Sequence, residues 1–475
     1  MSGKVVVVGA GISGLTAAWW LHTSGVDVVV LEKESWPGGT MRTLQDGDWL
    51  VETGPNSALE TTPLLGRMTD AMGLKDELRY ANPVSNKRYI LRNGRLHYLP
   101  MSPGAFLASR LWTPTGKLRL LKEPFIGRGT KEETIAEFVE RRLGREFLDY
   151  AINPFVAGVY AGNPEQLSVR AAFPKLYALE EKYGGLIKGM IKGARERKQR
   201  AEKAKDRAKM FSFRQGMNTF PAAIATKLNG RVKLGSSVQK IERSGSFAFR
   251  ISYDRNGRSI VEDADAVILS TPSYMVRRLL PEKAAAFVSA LDGIYYPPVA
   301  EVFLGYQKSQ VKMSLDGFGY LVPAKEGRKI LGTIWSSSLF EGRAPADHVA
   351  FTSFVGGSRQ PALVSLDEGD LKKLVVNEIR SIMHVEGEPV YSRIMRWEKA
   401  IPQYNLGHQV IMDEVDRLER EEPGIFLCSN YRGGIAVGDC VMSAEHMAGR
   451  VRQFLNDMSG RRAEDSRERT RRSST

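Results

Sequence analysis

Three glycines near the start of the chain have the spacing of a phosphate-binding turn. Gly9, Gly11 and Gly14 directly follow an apolar run, 4–8, and precede a helix-favouring segment. Glycines at this spacing let backbone N–H groups and the positive end of a helix approach a pyrophosphate. Glu32 ends a second apolar run, where a carboxylate can accept hydrogen bonds from ribose hydroxyls. These residues predict a dinucleotide site, which also includes the neighbours of the glycines and of the acid: Ala10, Ile12, Ser13 and Lys33.

Two further turns extend this site along the chain. Residues 34–43 contain a Gly-Gly-x-x-Arg pattern, in which we select Gly39 and Arg42. Residues 54–57 form a Gly-Pro-Asn-Ser turn. Both patterns resemble segments of flavoproteins of the amine oxidase superfamily, which place the second turn against the flavin. This resemblance makes all four residues of the turn candidates for contact with a bound ring: Gly54, Pro55, Asn56 and Ser57.

A third Gly-rich segment, 430–440, lies near the other end of the chain. A short apolar run precedes it and a helical run follows it. It resembles the segment that amine oxidase-like flavoproteins place under the flavin ring, where a helix N-terminus stabilises the negative charge that collects on reduction. We therefore add three residues of this segment to the predicted site: Ile435, Ala436 and Val437.

The two ends of the chain resemble the flavin-binding segments of the amine oxidase superfamily, and the middle resembles, more specifically, the protoporphyrinogen oxidase family. The second resemblance covers nearly the whole length. It implies FAD rather than NAD as the cofactor, bound without a covalent link. Its motifs are residues 155–164, 167–168, 172–174, 317–319, 332–334, 336–340, 343–345, 355–359 and 401–404.

The reaction that this resemblance implies is the six-electron oxidation of protoporphyrinogen IX to protoporphyrin IX in haem synthesis. O₂ would accept the electrons in three two-electron steps, with release of H₂O₂. Because the flavin carries the chemistry, we assign no catalytic residue and no metal ligand. Two alternatives stay open: oxidation of coproporphyrinogen III to coproporphyrin III by the same mechanism, and the reaction of a related FAD amine oxidase or desaturase.

Residues that bind the substrate are also implied by the resemblance. Arg88 stands where related enzymes place an arginine for a propionate, and a guanidinium pairs with a carboxylate through two parallel hydrogen bonds. Lys87 is the local rival. We expect Leu321 and Phe340 to form apolar walls, Gly162 to let the backbone approach the ring, and Trp397 and Val238 to lie beside FAD.

The expected architecture is an α/β fold of three interleaved domains. A Rossmann-like FAD domain takes residues 1–79, 234–287 and 421–460. An α+β substrate domain takes 80–97, 191–233 and 288–420, with an antiparallel sheet as the roof of a cavity. Residues 98–190 form a helical, membrane-associated domain, and 461–475 a disordered basic tail.

The charge balance favours acidic partners. The chain has 68 basic and 54 acidic residues, a net charge of +14. Residues 188–209 hold 10 basic and 3 acidic residues, and 10 − 3 gives +7. Because no aromatic residue interrupts this run, we expect no nucleic-acid role for it. It is either a solvated connector or a contact with a membrane or a partner.

Membrane attachment needs an apolar face beside basic residues, which the helical domain supplies. We expect the protein in the cytoplasm, peripherally bound to the anionic inner face of the cell membrane. With two cysteines and no long apolar run, neither a disulfide scaffold nor a membrane span is expected. A homodimer and hand-over of product to the next haem-pathway enzyme are compatible with the resemblance. The candidate face comprises Phe106, Leu107, Leu111, Trp112, Leu118, Leu120, Leu121, Pro124, Phe125 and Ile126.

Overall fold

A computed structural model describes residues 3–197, 208–245 and 249–473. In chain order, its strands are β1 (Lys4–Val8), β2 (Asp27–Leu31), β3 (Thr43–Asp46), β4 (Trp49–Glu52), β5 (Ala58–Leu59), β6 (Leu78–Tyr80), β7 (Lys87–Arg92), β8 (Arg95–Tyr98), β9 (Met210–Phe213), β10 (Val232–Lys233), β11 (Ser236–Arg243), β12 (Phe249–Arg255), β13 (Arg258–Ala264), β14 (Ala266–Leu269), β15 (Val299–Gln307), β16 (Gly317–Leu321), β17 (Ile330–Ile334), β18 (His348–Gly356), β19 (Tyr391–Trp397) and β20 (Ile425–Leu427).

The helices lie between these strands and in one long helical stretch after β8. They are α1 (Ile12–Thr23), α2 (Pro63–Met72), α3 (Pro103–Ala108), α4 (Pro114–Arg119), α5 (Ile135–Arg142), α6 (Arg145–Phe147), α7 (Asn153–Tyr160), α8 (Val169–Ala172), α9 (Pro174–Tyr183), α10 (Leu186–Arg197), α11 (Thr219–Lys227), α12 (Ser273–Leu279), α13 (Glu282–Ala286), α14 (Ser336–Leu339), α15 (Glu368–Met383), α16 (His408–Glu421) and α17 (Val437–Ser473).

A parallel sheet of five strands, in the order β10-β2-β1-β14-β20, forms the base of the molecule. Its central strands read as unbroken apolar runs because both faces are covered. On one face, α1, α2, α11 and α17 pack against Val5 and Val7. On the other, Val6 and Val8 meet α12, α16 and the antiparallel sheet β11-β12-β13. The expected mixed α/β fold with a parallel sheet is therefore confirmed.

A second sheet of seven strands, in the order β19-β15-β18-β17-β16-β7-β8, lies apart from the first. Its outer face packs on α15 through Tyr89 and Tyr320. Its inner face carries Ile90 and Leu321, which pack with the helical stretch α3–α10. The sheet is not wholly antiparallel as we expected, because β16 and β7 run parallel. We call the inner face of β7 and β15–β19 the roof.

The C-terminal segment differs from its prediction. α17 continues as helix to Ser473, so the expectation of a disordered tail after residue 460 is wrong for 461–473. Of the basic run 188–209, residues 188–197 belong to α10, and residues 198–207 lie outside the described residues. None of the helices in the described ranges has the length and apolar character needed to cross a membrane.

Candidate functional site

The Gly-rich turn after β1 joins the first two strands to the acid that was predicted to bind ribose. Glu32 is buried, and its Oε2 accepts the Ala10 N–H at 2.7 Å while its Oε1 accepts the Glu34 N–H at 3.0 Å. Each carboxylate oxygen keeps a second lone pair, so both hold position and can still accept a ribose hydroxyl. Lys33 is exposed, and its Nζ lies 3.3 Å from Glu34 Oε1, so its charge is directed to Glu34 and not to Glu32.

The glycines of this turn differ in what a side chain would meet. A Cβ at Gly9, whose φ is +103°, would lie 2.7 Å from the Ser270 carbonyl oxygen. A Cβ at Gly14 would lie 2.1 Å from the Gly9 carbonyl oxygen. At Gly11 no atom lies within 4 Å, so this residue borders open space. Gly11 also caps α1 without a side-chain hydrogen bond, which leaves the first N–H groups of the helix directed at that space.

The second predicted turn lies directly against the first. The Gly38 N–H donates to the Ala10 carbonyl at 2.8 Å, and a Cβ at Gly39 would approach the Gly11 Cα at 3.3 Å. The Arg42 guanidinium stacks over the Trp36 ring at 4.3 Å, so its charge is held at the rim. These contacts bring Gly39 and Arg42 to the same open space as the phosphate turn.

The turn 54–57 continues this surface. A Cβ at Gly54 would lie 1.9 Å from the Thr40 carbonyl oxygen, so only glycine fits. The Thr53 N–H donates to the Arg42 carbonyl at 2.9 Å, and Asn56 donates to the Gly54 carbonyl at 3.1 Å. The Trp397 indole N–H donates to the Thr53 carbonyl at 2.7 Å. The structure thus brings Trp397 to the turn, as the prediction beside FAD requires.

The C-terminal segment closes the other side. The Tyr404 hydroxyl accepts the Gly434 N–H at 3.0 Å and donates to the Asn430 carbonyl at 2.6 Å. Ala436 is exposed and Ile435 half-buried, whereas Val437 is buried in the core at the start of α17. A Cβ at Gly438 would lie 2.7 Å from the Thr61 hydroxyl, which places the start of α17 beside the strand that follows the 54–57 turn.

We call the surface formed by residues 9–14, 38–42, 54–57 and 434–437 the cradle. It joins two helix N-termini, those of α1 and α17, and turns that contain glycine. At the Glu32 end, the Ser236 N–H donates to the Glu32 carbonyl at 2.6 Å, which brings β11 and half-buried Val238 alongside. An elongated ligand with a central pyrophosphate and two flat ends fits this arrangement.

The roof contacts the cradle through Trp397 and carries an exposed cation on β7. Arg88 is exposed on β7 and has no ion-pair partner among the described residues. Its neighbour Lys87 points to the opposite face and pairs with Asp316, which also accepts the Tyr89 hydroxyl at 2.7 Å. Lys87 is therefore engaged, and Arg88 is the residue free to bind a carboxylate.

Strand register places apolar residues beside Arg88. Arg88 lies opposite Gly319 on β16, and Gly319 lies opposite Ile334 on β17. Leu321 lies opposite Gly332, which in turn lies opposite Phe354 on β18. Leu321, Ile334 and Phe354 are all half-buried, unlike the fully packed outer face. The roof therefore presents a flat apolar surface with a guanidinium at one side.

Two predicted substrate residues lie elsewhere. Gly162 is buried, and a Cβ there would lie 2.4 Å from the Gln403 side-chain oxygen. The glycine that touches the roof is Gly158 on α7, where a Cβ would lie 2.5 Å from Leu321. Phe340 is 4% exposed and lines a small enclosed pocket with Asn56 rather than the open face. Contact of either residue with a substrate stays a prediction.

Two carboxyl groups are buried between the roof and the cradle. Glu52, directly before the Thr53 turn, lies 3.4 Å from Arg343, and burial raises its pKa to about 7 against the opposing charge of that guanidinium. Glu301 is on the roof strand β15, and burial holds its pKa well above the usual range. A hydrogen bond from Trp397 opposes that rise, while the charge of Glu52 adds to it.

Comparison with known proteins identifies the family of the chain. The model of the family "Flavin containing amine oxidoreductase" matches residues 12–452. The chain belongs to this family. It is accordingly an FAD-dependent oxidoreductase. The uncapped start of α1, the open space at Gly11 and the free lone pairs of Glu32 fit the pyrophosphate and ribose of FAD.

Individual relatives of this flavin-containing family cover almost the whole chain. A mitochondrial protoporphyrinogen oxidase of Nicotiana tabacum is 34% identical and covers 96% of each chain. A coproporphyrinogen III oxidase of Bacillus subtilis (strain 168) is 28% identical and covers 92% of this chain and 95% of its own. The crystal structure of a proposed protoporphyrinogen oxidase from Exiguobacterium sp. 255-15 has a TM-score of 0.79 at 25% identity, covering 96% of this chain and 99% of that one.

Three roof residues were missed by the sequence analysis: Ile334, Phe354 and Gly158. Ile334 and Gly158 lie in motifs that carried the family resemblance, and Phe354 directly precedes another. The motifs alone do not tell which side chain of a buried strand faces the flavin, since a shift of one residue turns every side chain to the other face. Strand register supplied that information.

Proposed function

We propose that this flavoprotein oxidises a porphyrinogen in haem biosynthesis, and that the substrate is protoporphyrinogen IX. The observation that carries the proposal is the exposed guanidinium of Arg88, which has no ion-pair partner among the described residues and lies beside the apolar side chains of β16 to β18. A porphyrinogen is a broad apolar macrocycle with carboxylate side chains, so it needs these two features together. The names of the tobacco and Bacillus relatives support the same substrate class.

The chain's own residues bind and orient, while bound FAD accepts the hydrides. Arg88 pairs with a propionate and fixes the in-plane orientation of the macrocycle. Leu321, Ile334 and Phe354 cover one face of the ring and exclude water from it. The Trp397 hydrogen bond to Thr53 ties the roof to the cradle, which keeps the reacting edges of substrate and cofactor at a fixed separation.

FAD is held without a covalent bond in this proposal. Cys428 and Cys440 are both buried, and the Cys440 sulfur lies 3.8 Å from the Gly434 carbonyl oxygen. Acid precipitation of the purified protein should release all the yellow colour into the supernatant. Flavin that stays in the pellet would contradict this part of the proposal.

Turnover by one purified sample tests the substrate. We expect protoporphyrinogen IX to be oxidised with release of H₂O₂ and with a higher kcat/KM than coproporphyrinogen III. The tobacco relative has the greater identity, 34% against 28% for the Bacillus one, which favours this order. A preference for coproporphyrinogen III would reverse the assignment within the same mechanism. Oxidation of amines with neither porphyrinogen consumed would overturn the proposed class.

The helical stretch supports a second proposal, peripheral attachment to a membrane. Four of the apolar residues expected on this face are strongly exposed, whereas Leu111 and Trp112 are buried in the core of the helical stretch. The exposed four, which we call the apolar patch, are Leu107, Leu118, Leu121 and Phe125, with Phe125 89% exposed. Lys117, Arg119 and Lys122 lie between them in sequence and favour an anionic surface.

A buried ion cluster holds the apolar patch in place. Arg142 is fully buried, and its guanidinium contacts Glu123 at 3.0 Å, Glu180 at 2.7 Å and the Ile126 carbonyl at 3.1 Å. Glu123 in turn accepts the Leu186 N–H at 2.7 Å at the start of α10. Because these contacts fix the patch on both sides, it can insert into a membrane without the entropy cost of first ordering a loop.

Vesicle co-sedimentation tests this attachment. The protein should pellet with anionic vesicles more than with neutral ones, and high salt or detergent should release it. Phe125→Glu should reduce pelleting, whereas Val261→Glu, an exposed apolar residue on β13 away from the patch, should not. Equal recovery of the wild-type protein with both vesicle types would contradict the proposed electrostatic contribution to membrane attachment. Location at the inner face of the cell membrane, in the cytoplasm, is the setting that we propose.

A further inference from the structure

A small enclosed pocket lies between the FAD cradle and the roof, and it has room for about one water molecule. Asn56 of the 54–57 turn forms one wall, and Ile334 and Phe340 form the apolar side. Glu52 and Arg343 contribute the charged side. A polar pocket of this size is suited to carry a proton between the cradle and a buried carboxylate.

Glu52 is held in place by donors from three different segments. Its Oε1 accepts the Met217 N–H at 2.9 Å, and its Oε2 accepts the Thr43 hydroxyl at 2.7 Å. Arg343 approaches Oε1 at 3.4 Å. The side chain is 4% exposed, so the pocket rather than bulk solvent is its nearest route for proton exchange.

Only one of the two terminal nitrogens of the Arg343 guanidinium donates hydrogen bonds to described residues. Its Nη2 donates to the Ser212 hydroxyl at 2.7 Å and to the Phe213 carbonyl at 3.3 Å. Its Nη1 is buried without a hydrogen-bond partner among the described residues. An unmet donor on a buried guanidinium is costly, and it indicates a polar occupant of the pocket that Arg343 lines.

The charges that face Glu52 set its proton affinity. Arg343 favours the ionised form, burial favours the neutral form, and the net result is a pKa raised to about 7. Glu301 is the other acid facing this region, and burial keeps it protonated well above the usual range. Of the two, Glu52 is therefore the group that exchanges a proton at neutral pH, where proton transfer in both directions is fastest.

We propose that Glu52 accepts the proton released in each two-electron oxidation of the substrate and returns it when O₂ is reduced, through the pocket beside Asn56. The proposal rests on the porphyrinogen oxidation proposed above and adds a proton acceptor to it. Arg343 acts as a positioning residue, because it stabilises the ionised form that is ready to accept the proton.

The proton balance of the reaction requires such a group. In each step a C–H bond of the macrocycle breaks and its hydrogen leaves with both electrons to the cofactor. A proton also leaves in each step, from an N–H bond in two of the three steps and from a second C–H bond in the remaining one, so that four C–H and two N–H bonds break in all. O₂ then takes up two electrons and two protons and becomes H₂O₂. One of these protons comes from the hydrogen on the cofactor, and the second is the proton that Glu52 has held.

Anaerobic stopped-flow reduction of the holoenzyme by protoporphyrinogen IX tests the acceptor. In wild type, the rate of flavin bleaching should rise with pH through an inflection near 7. In Glu52→Gln we expect the inflection to vanish and the rate at pH 8 to fall roughly a hundredfold. Glu52→Asp should keep the inflection. Glu378→Gln is the matched control, because Glu378 is a buried acid near Arg328 at the outer face of the sheet.

A second measurement does not depend on turnover. The infrared band of a protonated carboxyl should titrate near pH 7 in substrate-free holoenzyme and be absent from Glu52→Gln. An unchanged band, or an unchanged pH profile of flavin reduction in Glu52→Gln, would overturn the assignment. If protoporphyrinogen IX fails to reduce the flavin of wild type while the band titrates as expected, the proposed substrate is wrong, and with it the role of Glu52 in the oxidation of that substrate. Titration of Glu52 near neutral pH would still be established.

Discussion

The FAD cradle and the roof face the same space but are built in different ways. The cradle consists of turns whose backbone does the binding, and each turn carries its own glycines within a few residues. The roof consists of side chains from several strands, and β7 lies more than two hundred residues before β16, β17 and β18 in the sequence. Local backbone geometry thus defines the first region, and long-range strand register defines the second. The two should respond differently to substitution.

The largest effect is expected in the cradle. In Gly14→Ala, the new Cβ would lie 2.1 Å from the Gly9 carbonyl oxygen, so the turn and α1 must separate. We expect loss of bound FAD and of the associated thermal stabilisation. Flavin absorbance of the purified protein and its melting temperature measure both quantities.

Gly11→Ala provides the matched control for this prediction. No atom lies within 4 Å of the new Cβ, and the backbone there has an ordinary φ of −67°. The FAD-free protein should melt as wild type, while FAD affinity falls because the methyl group enters the ligand space. If Gly14→Ala bound FAD normally, the phosphate turn would be assigned to the wrong backbone.

The next largest effect is expected from substitution of Arg88, the cation on β7 of the roof. Arg88→Ala should weaken binding of the transition state by roughly 2 to 5 kcal/mol, because it leaves a propionate unpaired in an apolar site. At 1.36 kcal/mol per tenfold change, kcat/KM falls about thirty-fold or more. Arg88→Lys should restore part of the loss, since an ammonium lacks the planar fork.

Lys87→Ala separates this role from a general effect of charge. Lys87 pairs with Asp316 on the opposite face, so its loss should change kcat/KM by less than about threefold. FAD content and melting temperature should stay near wild type in all three variants. Equal losses in Lys87→Ala and Arg88→Ala would mean that long-range charge, and not a propionate contact, carries the effect.

The contrast between the regions also explains what the sequence revealed. Gly9 and Glu32 were predicted from spacing and from the strand–helix–strand pattern around them, because a tight turn needs glycine at fixed offsets and the acid ends a strand. Gly54 was predicted from the family resemblance. Phe354 was not selected from the sequence, although it directly precedes a family motif. The face of the sheet on which it lies depends on the pairing of β17 with β18, and no local signal encodes that pairing.

The sequence also could not predict which charged residues lie close together in the fold. Glu52 and Arg343 are separated by 291 positions, and only the fold brings them to 3.4 Å. The burial that raises the pKa of Glu52 is a property of the assembled interface between cradle and roof. Composition predicted a basic protein, but it could not show that one buried acid would be poised near neutrality.

The raised pKa of Glu52 also predicts how the unfolding free energy of the protein depends on pH. The pKa of Glu52 rises from 4.5 to about 7 on folding, so the folded state holds the proton more tightly. This stabilisation is complete below pH 4.5 and is lost as the pH rises through 7. Relative to wild type, Glu52→Gln should therefore gain up to roughly 3 kcal/mol of unfolding free energy between pH 5 and 8.

Denaturant unfolding of the FAD-free protein at several pH values measures this gain. Using FAD-free protein keeps cofactor binding out of the comparison. The control is Lys87→Ala, which changes a charge on the outer face of the roof sheet and should keep the wild-type pH dependence. A constant difference between Glu52→Gln and wild type from pH 5 to 8 would show that Glu52 titrates alike in folded and unfolded chains.

The smallest effect tests the apolar part of the roof. Phe354 is half-buried on the inner face, so Phe354→Ala removes contact with the macrocycle and should raise KM about five- to thirty-fold, the equivalent of roughly 1 to 2 kcal/mol. Phe340 is 4% exposed, so Phe340→Ala should instead lower the unfolding free energy by about 3 kcal/mol or more through a cavity. Steady-state kinetics and denaturant unfolding of both variants separate these outcomes. The reverse pattern, a KM effect in Phe340→Ala alone, would support the residue chosen from sequence and overturn the face assigned by strand register.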